Sequence, residues 1–316
     1  MSATSPRILN QADAERLLAR VDVRQAMRDM FRELAAGQAV QPPQQLVEFP
    51  GGGGDFINYL GVLASQGVYG VKTSPYIVRQ PKSLVTAWSL LMSMQTGQPL
   101  LLCDAGSLTT ARTAATTAVA VEALAKSDAS RLAIIGSGPV AQAHLRYVAD
   151  LRDWQSIRVH SPQLDADKLA AFRAIDTRAE SAASVAEAVA DADVVLLCTS
   201  SGTPVLDPTS LSKPALITSI STNVARAHEV PPASLPGMDV YCDYRATTPA
   251  AAGEMRLASE QHGWDATRIR GDLPELLSGA AARPDYQRHA FFRSIGLGLE
   301  DVALANALYH LSQHDA

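Results

Sequence analysis

Leu132-Ala133-Ile134-Ile135-Gly136-Ser137-Gly138-Pro139-Val140-Ala141 is the stretch on which the fold turns. Four consecutive apolar residues suit a strand buried on both faces, and the glycine-spaced run behind them breaks it. The spacing is G-x-G-x-x-A at Gly136, Gly138 and Ala141. In such a turn the first glycine permits the reversal, the second lets the backbone approach a pyrophosphate, and the small third residue lets helix and strand pack closely. Amides at the start of the next helix then face the phosphates, where the helix dipole favours negative charge. Taken alone the pattern is weak, with an ordinary tight turn as the alternative. Here it follows an apolar strand, opens a helix that runs through Leu151, and precedes a second strand, Ser156 to His160. That context predicts a dinucleotide site contacted by Gly136, Ser137, Gly138, Pro139 and Val140.

Downstream the alternation continues with a helix from Asp165 and apolar runs at Val194-Val195-Leu196-Leu197-Cys198, Ala215-Leu216-Ile217-Thr218 and Val240-Tyr241-Cys242. Strands separated by helical crossovers predict a Rossmann-type, doubly wound parallel sheet in an α/β protein. Thr199 and Ser221, each just beyond one of these runs, and Ser294 are further candidate cofactor contacts. The ribose position reads Val159-His160-Ser161-Pro162-Gln163 and carries no acid. An acid there would chelate the ribose hydroxyls of NAD and repel a 2′-phosphate. With His160 placed against the adenine and Ser161 donating to a phosphate, NADP(H) is favoured and NAD(H) remains possible. The alternative for His160 is a partly buried strand residue.

Upstream the texture differs. From Asn10 to Gly37 apolar residues recur at three and four, predicting a helix with Asn10 as N-cap and Gly37 as stop. Gln41-Pro42-Pro43 then forces a loop, because proline lacks the amide donor. Short β-rich runs between Leu46 and Asp104, punctuated by Gly51 to Gly54, predict a mostly antiparallel sheet, and Thr110 to Ala125 an alanine-rich helix.

Composition narrows the function classes. With 316 residues, the prior is two domains, and 47% apolar content supports a sizeable core. A net charge of −5 offers no field for polyanions, so nucleic-acid binding is not expected. No run approaches a membrane span, and the N-terminus has no apolar leader segment, so a cytoplasmic protein is expected. Cys103, Cys198 and Cys242 lie far apart without partners at metal-binding spacing, so neither a disulfide framework nor a metal is expected.

Two cations stand where packing alone would not put them. Lys72 follows the run Tyr69-Gly70-Val71, and Arg112 is the sole charge in Leu108-Thr109-Thr110-Ala111-Arg112-Thr113-Ala114-Ala115. Both can bind a carboxylate, Arg through its bidentate fork; a solvated face is the alternative for each.

These segments, the glycine turn, Gln41-Pro42-Pro43, and the tail Ser294-Ile295-Gly296-Leu297-Gly298-Leu299-Glu300-Asp301 together resemble the ornithine cyclodeaminase/mu-crystallin family over nearly the whole chain. The resemblance implies a substrate and dimerisation domain (1–116) with a Rossmann domain (117–292) inserted before a returning C-terminal helix (293–316), and therefore a homodimer. Two departures matter. Gln44 stands where relatives commonly carry an Arg, so one carboxylate contact is weakened or reassigned. Asn223 stands where the cyclodeaminases use an Asp; an amide can orient water or an amino group but cannot accept and return a proton. Deaminative cyclisation of ornithine is thus expected to be impaired, while reversible oxidative deamination stays open, with Lys72 as carboxylate ligand or as acid/base.

Within the family, Gly54-Asp55-Phe56-Ile57-Asn58-Tyr59-Leu60 and Val71-Lys72-Thr73-Ser74-Pro75-Tyr76 look most like the NAD(P)H-dependent anabolic L-arginine dehydrogenases, which aminate 2-ketoarginine after a separate D-arginine dehydrogenase. That resemblance implies a small amino-acid or 2-oxo-acid substrate held by Gln44, Lys72 and Arg112, with Asp55 or Glu254 facing the guanidinium. Glu300 and Asp301 read as structural, because acids favour the first turn of a helix. Gly296 is placed near the nicotinamide, and His228 is read as a solvent-facing loop residue. The rival readings are a ketimine or cyclic-imine reductase, an ornithine cyclodeaminase-like enzyme, and a mu-crystallin-like protein that binds NADP and a ligand without turnover.

Overall fold

The structure is a computed structural model that describes residues 5–221 and 226–314. It comprises two compact units, Met1–Arg112 with Gly296–Ala316, and Thr113–Ile295. The helix Gly106–Leu124 contains the first boundary.

The second unit is built on an eight-stranded sheet in the order Ala179–Ser181, Ser156–His160, Arg131–Ile135, Val194–Leu197, Leu216–Ser219, Ala290–Arg293, Asp239–Cys242, Ile269–Asp272. All neighbours run parallel. Val194–Leu197, Leu216–Ser219, Asp239–Cys242 and Ala290–Arg293 are buried at every position, as a sheet covered on both faces requires. From the Arg131–Ile135 strand the chain first builds outward on one side and then returns to the other, so the order reverses beside this strand. In open parallel sheets ligands bind at that switch, outside the carboxyl ends of the strands. Ala179–Ser181, Ile269–Asp272 and Ala290–Arg293, the last inserted between two earlier strands, lie outside the apolar runs that the sequence reading marks as strands.

The first unit has a mostly antiparallel sheet in the order Arg7–Leu9, Pro99–Asp104, Trp88–Ser93, Val68–Ile77, Gly54–Leu63, Ala39–Val40, with short strands Gln45–Glu48 and Leu84–Val85 added at the side. Among the described residues of this sheet only Arg7–Leu9 pairs in parallel. The expected single helix from Asn10 to Gly37 is instead two, Gln11–Leu18 and Val23–Ala35. Asp22 breaks it: its carboxylate caps the second helix by accepting from the Gln25 amide, so the chain turns there although the apolar spacing carries through.

The helix Gly298–His314 lies on the two long central strands. Gly61 and Gly298 let it approach so closely that a side chain at Gly61 would start 2.9 Å from the Leu299 amide nitrogen. The first turn of the helix is thereby pressed onto the sheet. Among the described residues no helix is long and apolar enough to cross a membrane.

Candidate active site

In the second unit, a cleft of about 850 Å³ opens at the carboxyl ends of the strands. Its walls are Ile135–Val140, His160–Gln163, Val185, Cys198–Ser201, Val205 and Ile220–Ser221. Gly136 has φ 131°, and a side chain there would collide with the Cys198 carbonyl, so the turn demands glycine. Gly138 caps the helix Pro139–Val148 without a side-chain hydrogen bond, and a Cβ on it would meet nothing within 4 Å. Helix amides without a side-chain cap, an open position over the second glycine and a buried Ala141 together fit a pyrophosphate. Gly136, Ser137, Gly138, Pro139, Val140, His160, Ser161, Thr199 and Ser221 all line this cleft. No acid does.

His160 Nδ1 lies 2.9 Å from the Ala182 carbonyl, which can only accept, so that nitrogen carries the proton. Ser161 Oγ accepts from the Gln163 amide at 3.2 Å. Ser294 is buried and donates to Asp243 at 3.0 Å, and it is not among the residues that line the cleft.

In the first unit the two cations are buried together. Lys72 is 1% exposed and Arg112 4%. Lys72 Nζ lies 2.9 Å from Asp301 Oδ2 and 3.1 Å from Oδ1, and donates to Thr109 Oγ1 at 3.3 Å. It sits 4.1 Å from the centre of the Tyr59 ring, its cross-strand partner. Arg112 Nη1 pairs with Glu300 Oε2 at 3.0 Å, and Nε lies 3.3 Å from Asp301 Oδ1.

Two positive and two negative groups therefore meet in one buried cluster, and the expectation that Glu300 and Asp301 serve only the helix dipole is too narrow. Both do occupy the first turn. The Gly61–Gly298 contact is what brings that turn within reach of the cations. Nothing local in the sequence signals the meeting, because Lys72 and Asp301 lie 229 positions apart.

The cluster sets protonation. Burial, then the nearby Arg112 charge, pushes the Lys72 amine down to about 8, while Asp301 and, more weakly, Glu300 pull it back up. Burial also works against the Arg112 charge, but Asp301 and Glu300 outweigh it and keep the guanidinium firmly protonated.

Gly296 backs Arg112: at φ 76° it lies so close that any side chain would strike the guanidinium. Gln44 Nε2 donates to the Gly296 carbonyl at 2.6 Å. Asp55 is half-buried on the strand Gly54–Leu63, with Glu48 directly across the ladder. Glu254 is fully buried, and its Oε1 lies 2.8 Å from Arg293 Nε, so it is committed inside the second unit. Burial raises its carboxyl above the ordinary range. His228 is half-exposed and its Nδ1 is 2.7 Å from the Arg226 carbonyl. Asn223 lies outside the described residues. Among those residues no group of His, Cys, Asp and Glu is arranged to hold a metal.

A glycine turn at the switch of a parallel sheet, carried on a chain whose other unit buries a Lys–Arg–Asp–Glu cluster, defines a two-unit nucleotide-dependent protein. The profile of the ornithine cyclodeaminase/mu-crystallin family matches residues 5–315, and the chain belongs to that family. It is 72% identical over 313 residues to the NAD(P)H-dependent anabolic L-arginine dehydrogenase DauB of Pseudomonas aeruginosa, covering 99% of each protein. The structure of a probable ornithine cyclodeaminase from Bordetella pertussis superposes with a TM-score of 0.89 at 28% identity, covering 98% of both chains. An archaeal alanine dehydrogenase dimer with bound NAD gives a TM-score of 0.88 at 24% identity over 98% of this chain and 97% of the other, a likeness of fold.

Proposed function

We propose that this protein is an NAD(P)H-dependent L-arginine dehydrogenase that interconverts L-arginine and water with 2-ketoarginine and ammonium, releasing one proton in the oxidative direction. The observation that carries the mechanism is the buried Lys72 amine, brought to about 8 and held between Asp301 and the Tyr59 ring. A group that titrates near neutrality can both take and return a proton. The nicotinamide cofactor, seated on Gly136–Val140, supplies the hydride acceptor in oxidation and the donor in amination; the acid-free ribose rim suits NADP(H) and admits NAD(H).

Arg112 and Lys72 grip the substrate α-carboxylate, with Gln44 fixing Gly296 and so the guanidinium behind it. Unprotonated Lys72 takes a proton from the substrate amine, and protonated Lys72 gives one to the leaving hydroxyl in the reverse direction. Asn223 orients the amino or imino group. Asp55 shares a strand face with Tyr59 four residues on, about 13 Å along the strand, a span suited to a long extended side chain ending in a cation. Asp55, with Glu48 opposite, is the seat proposed for the guanidinium.

The first unit is the substrate and dimerisation domain and the second the nucleotide domain. Among the described residues, every large apolar side chain left exposed belongs to the first unit, from Ile8 to Met94, which supports pairing of two copies through that unit.

The test is reduction of NADP and NAD by the purified protein with L-arginine, L-ornithine, L-lysine and L-alanine, and the reverse reaction with 2-ketoarginine and ammonia. Arginine-dependent reduction well above the other substrates is expected. Turnover only with a preformed cyclic imine would move the protein to the imine reductases, and nucleotide binding without turnover would make it a binding protein.

A further inference from the structure

Beside the glycine turn the cleft is lined by Cys198–Ser201, which follow the strand Val194–Leu197, and by Ile220 and Ser221, which follow Leu216–Ser219. Behind both lies Glu229, fully buried. One of its carboxylate oxygens accepts the Thr199 amide at 2.9 Å and the Thr199 hydroxyl at 2.7 Å. The other accepts the Ser219 hydroxyl at 2.7 Å and the Ser221 amide at 2.9 Å. Its main-chain carbonyl takes the Val205 and Leu206 amides, at 2.8 and 3.2 Å. Among the described residues no Lys, Arg or His forms an ion pair with it, so four neutral donors stand in for a counter-ion.

Ser221 shows what the clamp achieves. Its φ is 46°, a left-handed conformation that residues with a Cβ avoid, and in that conformation its amide reaches Glu229. Its hydroxyl oxygen is buried and has no hydrogen-bond partner among the described residues, although Ser221 lines the cleft. A buried polar group held without a partner by an unfavourable backbone fits a site prepared for a ligand.

We infer that Glu229 is a positioning residue for the nucleotide: it locks the Thr199 and Ser221 loops together and presents the Ser221 hydroxyl to the bound dinucleotide. This rests on the reading of the cleft as a nicotinamide-dinucleotide site. A glutamine at the position keeps one acceptor oxygen and turns an amide donor toward two other donors. An aspartate is one methylene too short to reach both loops.

The test is direct titration of NADPH, followed by nucleotide fluorescence, on the full-length protein and on Glu229→Gln, Glu229→Asp and Ser221→Gly, with steady-state constants for NADPH and 2-ketoarginine. Ser221→Gly relieves the left-handed strain while removing the hydroxyl, so its melting temperature should hold or rise while its NADPH Kd rises about tenfold, the loss of one hydrogen bond. Glu229→Gln and Glu229→Asp should raise the Kd and KM for NADPH at least as much and leave the 2-ketoarginine KM unchanged. If the Glu229 variants do not fold, Ser221→Gly with Thr199→Val decides the question. Wild-type binding with Ser221→Gly and either Glu229 variant equally tight overturns the inference. A wild-type protein that binds no nucleotide overturns the dinucleotide reading itself, and the inference with it.

Discussion

Burial presses the proton off Lys72, and Asp301 returns part of the hold. The sign of an Asp301→Asn substitution follows. Removing the negative charge removes an interaction that raises the lysine pKa, so the amine falls below about 8 and its base form appears at lower pH. The rising limb of kcat/KM for arginine oxidation should move to lower pH in Asp301→Asn than in wild type; a limb that stays in place would remove Lys72 as the titrating group. Asparagine keeps the size and one acceptor oxygen of Asp301 but still removes the charge from a buried ion pair, a loss of about 3–5 kcal/mol of stability, so a lower melting temperature should accompany the shifted limb. Lys72 and Arg112 are legible in the sequence because a charge inside an apolar run needs a partner. Asp301 is not, because an acid in the first turn of a helix is already accounted for by the dipole. Gly296 likewise reads as a turn glycine, and only the structure places Arg112 against it.

Among the elements, the strand Arg131–Ile135 and the helix Pro139–Val148 flank the glycine turn of the cleft proposed to hold the nucleotide. A methyl group at Gly138 would meet no protein atom within 4 Å, so Gly138→Ala should leave the melting temperature unchanged. It would nevertheless fill the space through which a pyrophosphate nears the backbone, and NADPH affinity should fall about tenfold or more, measured by titration. Unaltered affinity would move the phosphates away from this turn. The glycine motif and the strands around it are readable because a fully buried parallel strand is a short, nearly unbroken apolar run. Ala290–Arg293 offers only Ala290, Phe291 and Phe292 before a charge, too little to separate from a loop, yet it is buried throughout. The Asp22 break between the N-terminal helices is hidden because capping competes with an apolar rhythm that continues on both sides.

For the whole molecule, the division into an antiparallel and a parallel part is legible as a change in texture along the chain, whereas the way the last helix closes over the first sheet is not, since it depends on contacts between distant positions. Val47 and Val85, 44% and 65% exposed on the first unit, belong to the apolar surface proposed to pair two copies. Val47→Lys with Val85→Lys should shift light-scattering mass from dimer to monomer, and a mass indifferent to both changes would relocate the interface. Arg112 closes the first stretch of its unit and Gly296 opens the second, and those two residues touch. The second unit is thus a detour in the chain that leaves and rejoins the first at one doorway. A detour of that kind can grow or shrink without rethreading the host sheet, provided that the helix Gly106–Leu124, which runs through the first junction, stays continuous.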